Sequence, residues 1–266
     1  MKKKIVSLIT CLICAANLYP QMLGLLNDSV HGPVKQVTVT SHPQELYTGE
    51  TMVWKHTASF SPNGQMIEYK RYINDCMVES CKYHYTTEGN YCICQDYDIK
   101  GAPDDSYGKI ILDADGKKIA WHRYWKGKPT LGDSLVYNQQ GKIVKKYEYP
   151  YNRETQPELV VVYTYDSIGR LTGETDLKQK KSYTITYLPN GNYIKQFYEN
   201  NKKKQKETYI FNKGLLFKIK AHDGEDTFLD YDRYGNWCKR VFKFNKGPFS
   251  DLLSDSVTER TIEYYE

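Results

Sequence analysis

Apolar and polar residues alternate along most of this chain with a period of two, and glycines interrupt the alternation at a nearly constant interval. The glycines are Gly64, Gly89, Gly116, Gly141, Gly169, Gly191, Gly214 and Gly235, separated by 25, 27, 25, 28, 22, 23 and 21 residues. Four residues before the glycine stands Phe60, Tyr85, Leu112, Tyr137, Tyr165, Tyr187 or Tyr231, and Phe211 stands three before the remaining one. Apolar residues recur two after it, among them Met66, Ile143, Leu171, Tyr193 and Trp237, and six before it, among them Tyr83, Tyr163 and Ile185. Side chains alternate faces along a strand, so these positions are expected to share the buried side of a hairpin.

Turn formers such as Asn138, Asp166, Pro189-Asn190 and Asp232 fill the gap before the glycine, which supplies a positive φ. A second break falls midway between glycines, at Asn74-Asp75, Lys126-Gly127-Lys128, 176–181, 200–204 and 245–248. Each unit is then strand, turn, strand, turn in about 24 residues, and eight units predict about sixteen strands. The expected fold is all-β: an antiparallel β-hairpin repeat array in an elongated, meandering or partly wound sheet.

The chain opens differently. Lys2, Lys3 and Lys4 precede a short apolar run from Ile5 to Cys14 and then Ala15 and Ala16, which predicts a signal peptide over 1–16, a lead-in over 17–30 and the repeat domain over 31–266. Lipidation is disfavoured because Thr10 precedes Cys11 and Ile13 precedes Cys14. No later segment has the ~20 apolar residues of a transmembrane helix, so the expected location is secreted, in the periplasm or on the outer surface.

Twenty-five tyrosines suit pleated, half-buried surfaces, and no stretch is strongly helix-periodic. The net charge of +5 is spread among alternating lysines, which argues for solubility and against a nucleic-acid partner. Lys202 to Lys204 with Lys206 are expected on a solvated turn.

Two units, Tyr165-Asp166-Ser167-Ile168-Gly169-Arg170-Leu171 and Tyr231-Asp232-Arg233-Tyr234-Gly235-Asn236-Trp237, resemble the YD repeats of the RHS family. The opening Gly32-Pro33-Val34-Lys35-Gln36-Val37 and the ending Glu259-Arg260-Thr261-Ile262-Glu263-Tyr264-Tyr265 are similar to those of short secreted RHS-repeat-like proteins of Bacteroidetes. The resemblance implies hairpins wound into a shell around a polypeptide. Eight units look too few to close one, and neither a toxin domain nor a self-cleaving protease motif is seen.

After signal removal Cys76, Cys81, Cys92, Cys94 and Cys238 remain, an odd number. Their spacings do not match paired zinc ligands, and an oxidising compartment favours a disulfide among Cys76, Cys81, Cys92 and Cys94, with Cys81 bonded across strands to Cys92 or Cys94. Asp113-Ala114-Asp115-Gly116 looks like a fragment of a calcium loop but falls at a hairpin turn and is followed by Lys117 and Lys118. Six scattered histidines show no metal-ligand pairing, and no phosphate loop, nucleophile elbow or zinc-protease helix occurs, so no cofactor or metal is expected and no catalytic residue is assigned.

One strand is richer in chemistry. Alternation sets Trp121, Arg123 and Trp125 on one face and His122 and Tyr124 on the other, so this strand is either core in a repeat with two covered faces or, with Trp121, Arg123, Tyr124 and Trp125, the candidate binding surface for a glycan or an envelope protein. The expectation is a non-enzymatic binding or structural module of the envelope. The alternatives are a glycan hydrolase working with carboxylates among Glu68, Glu148, Asp166, Glu174, Asp230 and Asp232, and a small RHS-like wrapper of a partner polypeptide.

Overall fold

The structure is a computed structural model and describes residues 30–42, 52–86, 91–114, 116–149, 156–245 and 256–266. The expected signal peptide, nearly all of the lead-in, the Gly89 turn, Asp115 and the break at 246–248 lie outside these residues.

The described residues form eighteen antiparallel strands and no helix. They are β1 (Val34–His42), β2 (Trp54–Phe60), β3 (Met66–Ile73), β4 (Cys76–Tyr85), β5 (Tyr91–Tyr97) and β6 (Pro103–Leu112). Next come β7 (Lys118–Trp125), β8 (Lys128–Tyr137), β9 (Ile143–Tyr149), β10 (Glu158–Tyr165), β11 (Leu171–Asp176) and β12 (Lys181–Tyr187). The last are β13 (Tyr193–Glu199), β14 (Lys202–Asn212), β15 (Leu215–Lys220), β16 (Gly224–Tyr231), β17 (Trp237–Phe244) and β18 (Ser256–Tyr264).

Each strand pairs with the next along the chain, and β1 pairs with both β2 and β18, so the sheet closes into a barrel. An elongated or partly wound array is therefore not what forms. The eight glycine-centred hairpins supply β2 through β17, and the closing pair comes from the opening and ending segments that flank them. Those two strands bring the count among the described residues to eighteen rather than sixteen, and closure leaves no unpaired edge among the described strands.

The turns explain the spacing. In the β10–β11 turn the Asp166 amide donates to the Arg170 carbonyl at 2.9 Å, and the Gly169 amide returns to the Asp166 carbonyl at 3.0 Å. Asp166 Oδ1 accepts the Ile168 and Arg170 amides at 3.2 and 2.8 Å, and Gly169 takes φ 80°. Asn138 and Asp232 do the same work in their own turns. The acid or amide thus satisfies amides that a tight loop leaves free, and glycine closes the loop in the left-handed region.

Four of the tyrosines that stand four before a turn glycine have a second task. Tyr137, Tyr165, Tyr187 and Tyr231 each reach the preceding hairpin and donate to the backbone carbonyl two residues past its glycine: Lys118, Ile143, Leu171 and Leu216. The rungs tie neighbouring units at one end of the barrel, where both chain ends of the sheet also lie.

The two faces of the wall differ. Val37, Ala58, Tyr69, Cys81 and Asp96 pair in succession across β1 to β5, and the first four are buried. Val37, Ala58 and Cys81 are 0 % exposed, which a convex wall does not allow, so this row lines the inside. On the far wall the inner row runs Tyr187, Tyr193, Tyr209, Ile219, Asp226 and Phe242. The outer face carries Thr38, Thr57 and Lys70 in one row and Glu68, Lys82 and Gln95 in another.

Local departures have local causes. Leu229 faces outward because Asp230 adopts φ 53° and shifts the alternation before Tyr231. Lys202 to Lys204 stand exposed on β14 rather than on a turn, since Asn200 and Asn201, with φ 49° and 61°, complete the reversal in two residues.

Candidate functional site

The chemistry gathers on the inner wall from β5 to β9. Trp121, Arg123 and Trp125 point inward from β7, opposite Ile110, Gly108 and Ser106 of β6, while His122 and Tyr124 point outward. Tyr124 stacks on Tyr107 with ring centroids 4.8 Å apart, so the candidate surface is divided and Tyr124 belongs to the outer half. Gly108 lets the Trp121 indole lie across the sheet: a Cβ there would stand 2.7 Å from Trp121 Nε1.

Arg123 donates from Nη2 to Asp96 Oδ2 at 3.0 Å, and Ser106 Oγ donates to the same oxygen at 2.7 Å. Burial pushes the Asp96 carboxyl up, against the pull of Ser106 and Arg123. Trp125 is 49 % exposed and Leu131, opposite Arg123, 42 % exposed although both face inward, so the wall is open to solvent at its β7–β8 turn end.

A chain of ion pairs runs beside the tryptophans. Lys118 Nζ lies 3.2 Å from Asp133, Lys146 Nζ lies 3.8 Å from Asp133 and 3.6 Å from Glu148, and Lys178 Nζ lies 2.9 Å from Glu148. Asp133 pairs directly with both Trp121 and Glu148 in the sheet. Burial would raise the Glu148 carboxyl, but Lys178 and Lys146 hold it below the usual carboxylate range.

The six carboxylates considered from sequence are not brought into one site. Glu68 pairs with Lys70 on the outer face, Asp166 and Asp232 cap turns, and Glu174 accepts from the Tyr183 hydroxyl at 3.0 Å. Glu148 has a carboxylate neighbour, Asp133, that sequence reasoning overlooked because register alone joins residues fifteen apart. Asp113 Oδ1 accepts the Lys117 amide at 2.8 Å, as a turn residue does.

Cys81 and Cys94 form a disulfide across β4 and β5. Cys94 opposes Tyr83 and Cys81 opposes Asp96, so the two cysteines are diagonal neighbours with Cα atoms 6.1 Å apart. Cys92, one pair nearer the turn, stays free and buried, with its thiol pushed up to about 11 by burial; Cys76 is free and exposed, and Cys238 is free. Asp96 stands beside the two bonded sulfurs, a grouping that could ligate a metal only as thiolates.

No family model matches this chain, and no curated protein does. Among solved structures it is similar to a porin-like protein from Bacteroides uniformis, with TM-score 0.50 and 11 % identity over 88 % of this chain and 99 % of that one. It also aligns with TcdB2-TccC3, at TM-score 0.38 and 10 % identity over 85 % of this chain and 15 % of that one. A Photorhabdus luminescens Tc holotoxin pore aligns at TM-score 0.35 and 11 % identity over 82 % of this chain and 14 % of that one. The porin-like likeness agrees with the fold: an all-β antiparallel closed barrel.

The outer face departs from a membrane wall. Lys70, Lys82 and Lys239 project outward from strand interiors, with Glu259 opposite Lys239. A bilayer-spanning barrel presents an apolar band there, and each lysine at the midplane costs roughly 2–4 kcal/mol.

Proposed function

We propose that this chain is a water-soluble, hollow barrel of the cell envelope that holds an extended ligand against its inner wall and neither conducts through a bilayer nor catalyses. The observation that carries the reading is the inversion of the two faces: charged and threonine-rich outside, aromatic and ion-paired inside. The signal peptide expected over 1–16 would deliver such a vessel to the envelope.

Hydrolysis is the second reading, favoured by the Asp133–Glu148 pair beside Trp121. A glycosidase needs one carboxyl raised to act as an acid, and Glu148 is instead held ionised by two lysines. Binding fits this electrostatic arrangement better than bond cleavage.

The test is purification of the mature chain without detergent, followed by scattering in solution and by conductance across planar bilayers. A soluble particle with a hollow scattering profile and no conductance is expected. Insertion with stepwise conductance would replace the reading with a pore.

A further inference from the structure

Resting on the reading of a soluble, ligand-holding lumen, we propose that the β7–β9 part of the inner wall is a binding site for a neutral linear glycan. Trp121 and Trp125 would be its stacking platforms, and Arg123, Asp133 and Glu148 its hydroxyl-binding groups.

Platform spacing is the first support. Trp121 and Trp125 share the inward face of one strand four residues apart, which places them about 13 Å from each other along the wall. Neither ring is free to collapse onto the other. Trp121 is laid over Gly108, and Trp125 stands at the end of β7, where Lys126 and Gly127 turn the chain with φ 48° and 72°. Rigid rings at fixed separation, open to the lumen, suit the flat apolar faces of sugar rings in a chain.

Between and beside the platforms the polar groups are planar, charged and already oriented. Arg123 is fixed through Asp96, and Asp133 and Glu148 are fixed through Lys146. Carboxylates and guanidinium held this way can engage vicinal hydroxyls in bidentate hydrogen bonds without first being ordered. Arg123, Asp133 and Glu148 each have an opposite partner within 4 Å, so a charged ligand using these groups would have to break a pair. A neutral polyol uses the remaining donor and acceptor capacity and leaves the pairs intact.

The closed sheet argues against an extended peptide. Peptides recognised as strands add to a free sheet edge, and here every described strand is paired on both sides.

The experiment is calorimetric titration of the full mature chain with cellohexaose, laminarihexaose, maltohexaose, xylohexaose and chitohexaose, and with an oligogalacturonate as the acidic probe. Thin-layer analysis of each mixture follows. Binding of at least one neutral hexasaccharide, unchanged in length afterwards, is expected. Trp125→Ala should weaken it at least tenfold, whereas Tyr124→Ala, on the outer face, should leave it within twofold. Trp121→Phe keeps a ring over Gly108 and should weaken binding less than Trp125→Ala. Thermal melts of each variant separate lost binding from lost folding.

No neutral probe bound by the folded chain, binding of the acidic probe alone, or binding indifferent to Trp125→Ala would each overturn the assignment. Shortened products would overturn it in favour of hydrolysis. Conductance on the same preparation distinguishes the two levels: a soluble, non-conducting barrel that binds none of these sugars sinks the glycan site and leaves the hollow vessel standing.

Discussion

Tyr165 donates its hydroxyl to the backbone carbonyl of Ile143 at 2.7 Å, across 22 residues and one hairpin boundary. The bond joins the end of β10 to the start of β9, where the turn begins, and Tyr187 repeats it onto Leu171 at 3.0 Å. A carbonyl at this place has used its ladder partner on one side only, and the phenol supplies the other.

Removing one rung should therefore cost about 0.5–1.5 kcal/mol without changing the fold. Tyr165→Phe keeps the ring and loses only the hydroxyl. Urea denaturation of Tyr165→Phe, Tyr187→Phe and the double variant is expected to show an unchanged slope and lowered midpoints. A midpoint equal to that of the parent chain would mean that water replaces the phenol at no cost.

His56 predicts a pH dependence. The ring is buried, hydrogen-bonded to the Tyr69 hydroxyl at 2.9 Å, and burial, aided by nearby Arg71, lowers its pKa from 6.5 to about 4. Between these values the unfolded chain binds more proton than the folded one, so stability is full above pH 6.5 and declines as pH falls toward 4. The loss attributable to this group is roughly 2–3 kcal/mol. Thermal melts from pH 7 to pH 4 should slope more steeply for the parent than for His56→Gln if Gln stays uncharged throughout. Parallel slopes would show that His56 does not carry the effect.

Asn236 makes the seam testable. Its side chain accepts the His31 amide at 2.7 Å, donates to the His31 carbonyl at 2.9 Å and to the Tyr264 hydroxyl at 2.8 Å, and is 2 % exposed. Tyr264 in turn donates to Asp232. Three chain segments thus meet at one amide beside the junction of β1 and β18. Asn236→Ala should cost about 1–3 kcal/mol, the range for buried groups left unpaired. Amide exchange should quicken in β1 and β18 before the other strands; uniform quickening would argue against a local seam.

Much of the wall was legible in the sequence. Glycine spacing located the hairpins, aspartate and asparagine marked the turns, and alternation separated Trp121, Arg123 and Trp125 from His122 and Tyr124. What was not legible depends on contacts between distant residues. Nothing local in Val34–His42 or Ser256–Tyr264 says that they pair with each other, and that pairing turns a ribbon into a barrel. The Asp133–Glu148 neighbourhood is likewise a product of register, because alternation places each on a face but cannot say which residue it meets across the gap. The disulfide was narrowed to two partners for the same reason, and the diagonal between Cys81 and Cys94 selects one of them.

The order of pairing also bears on how the barrel is made. Each strand finds its partner in the next segment of chain, apart from β1 and β18, whose paired residues stand more than two hundred positions apart. Short-range hairpins form quickly, and joining the two ends must wait for all of them, since long-range contacts carry the slow step of folding. Until then the growing ribbon has two open margins able to recruit another copy. The last event in folding thus separates a sealed vessel from a polymerising sheet.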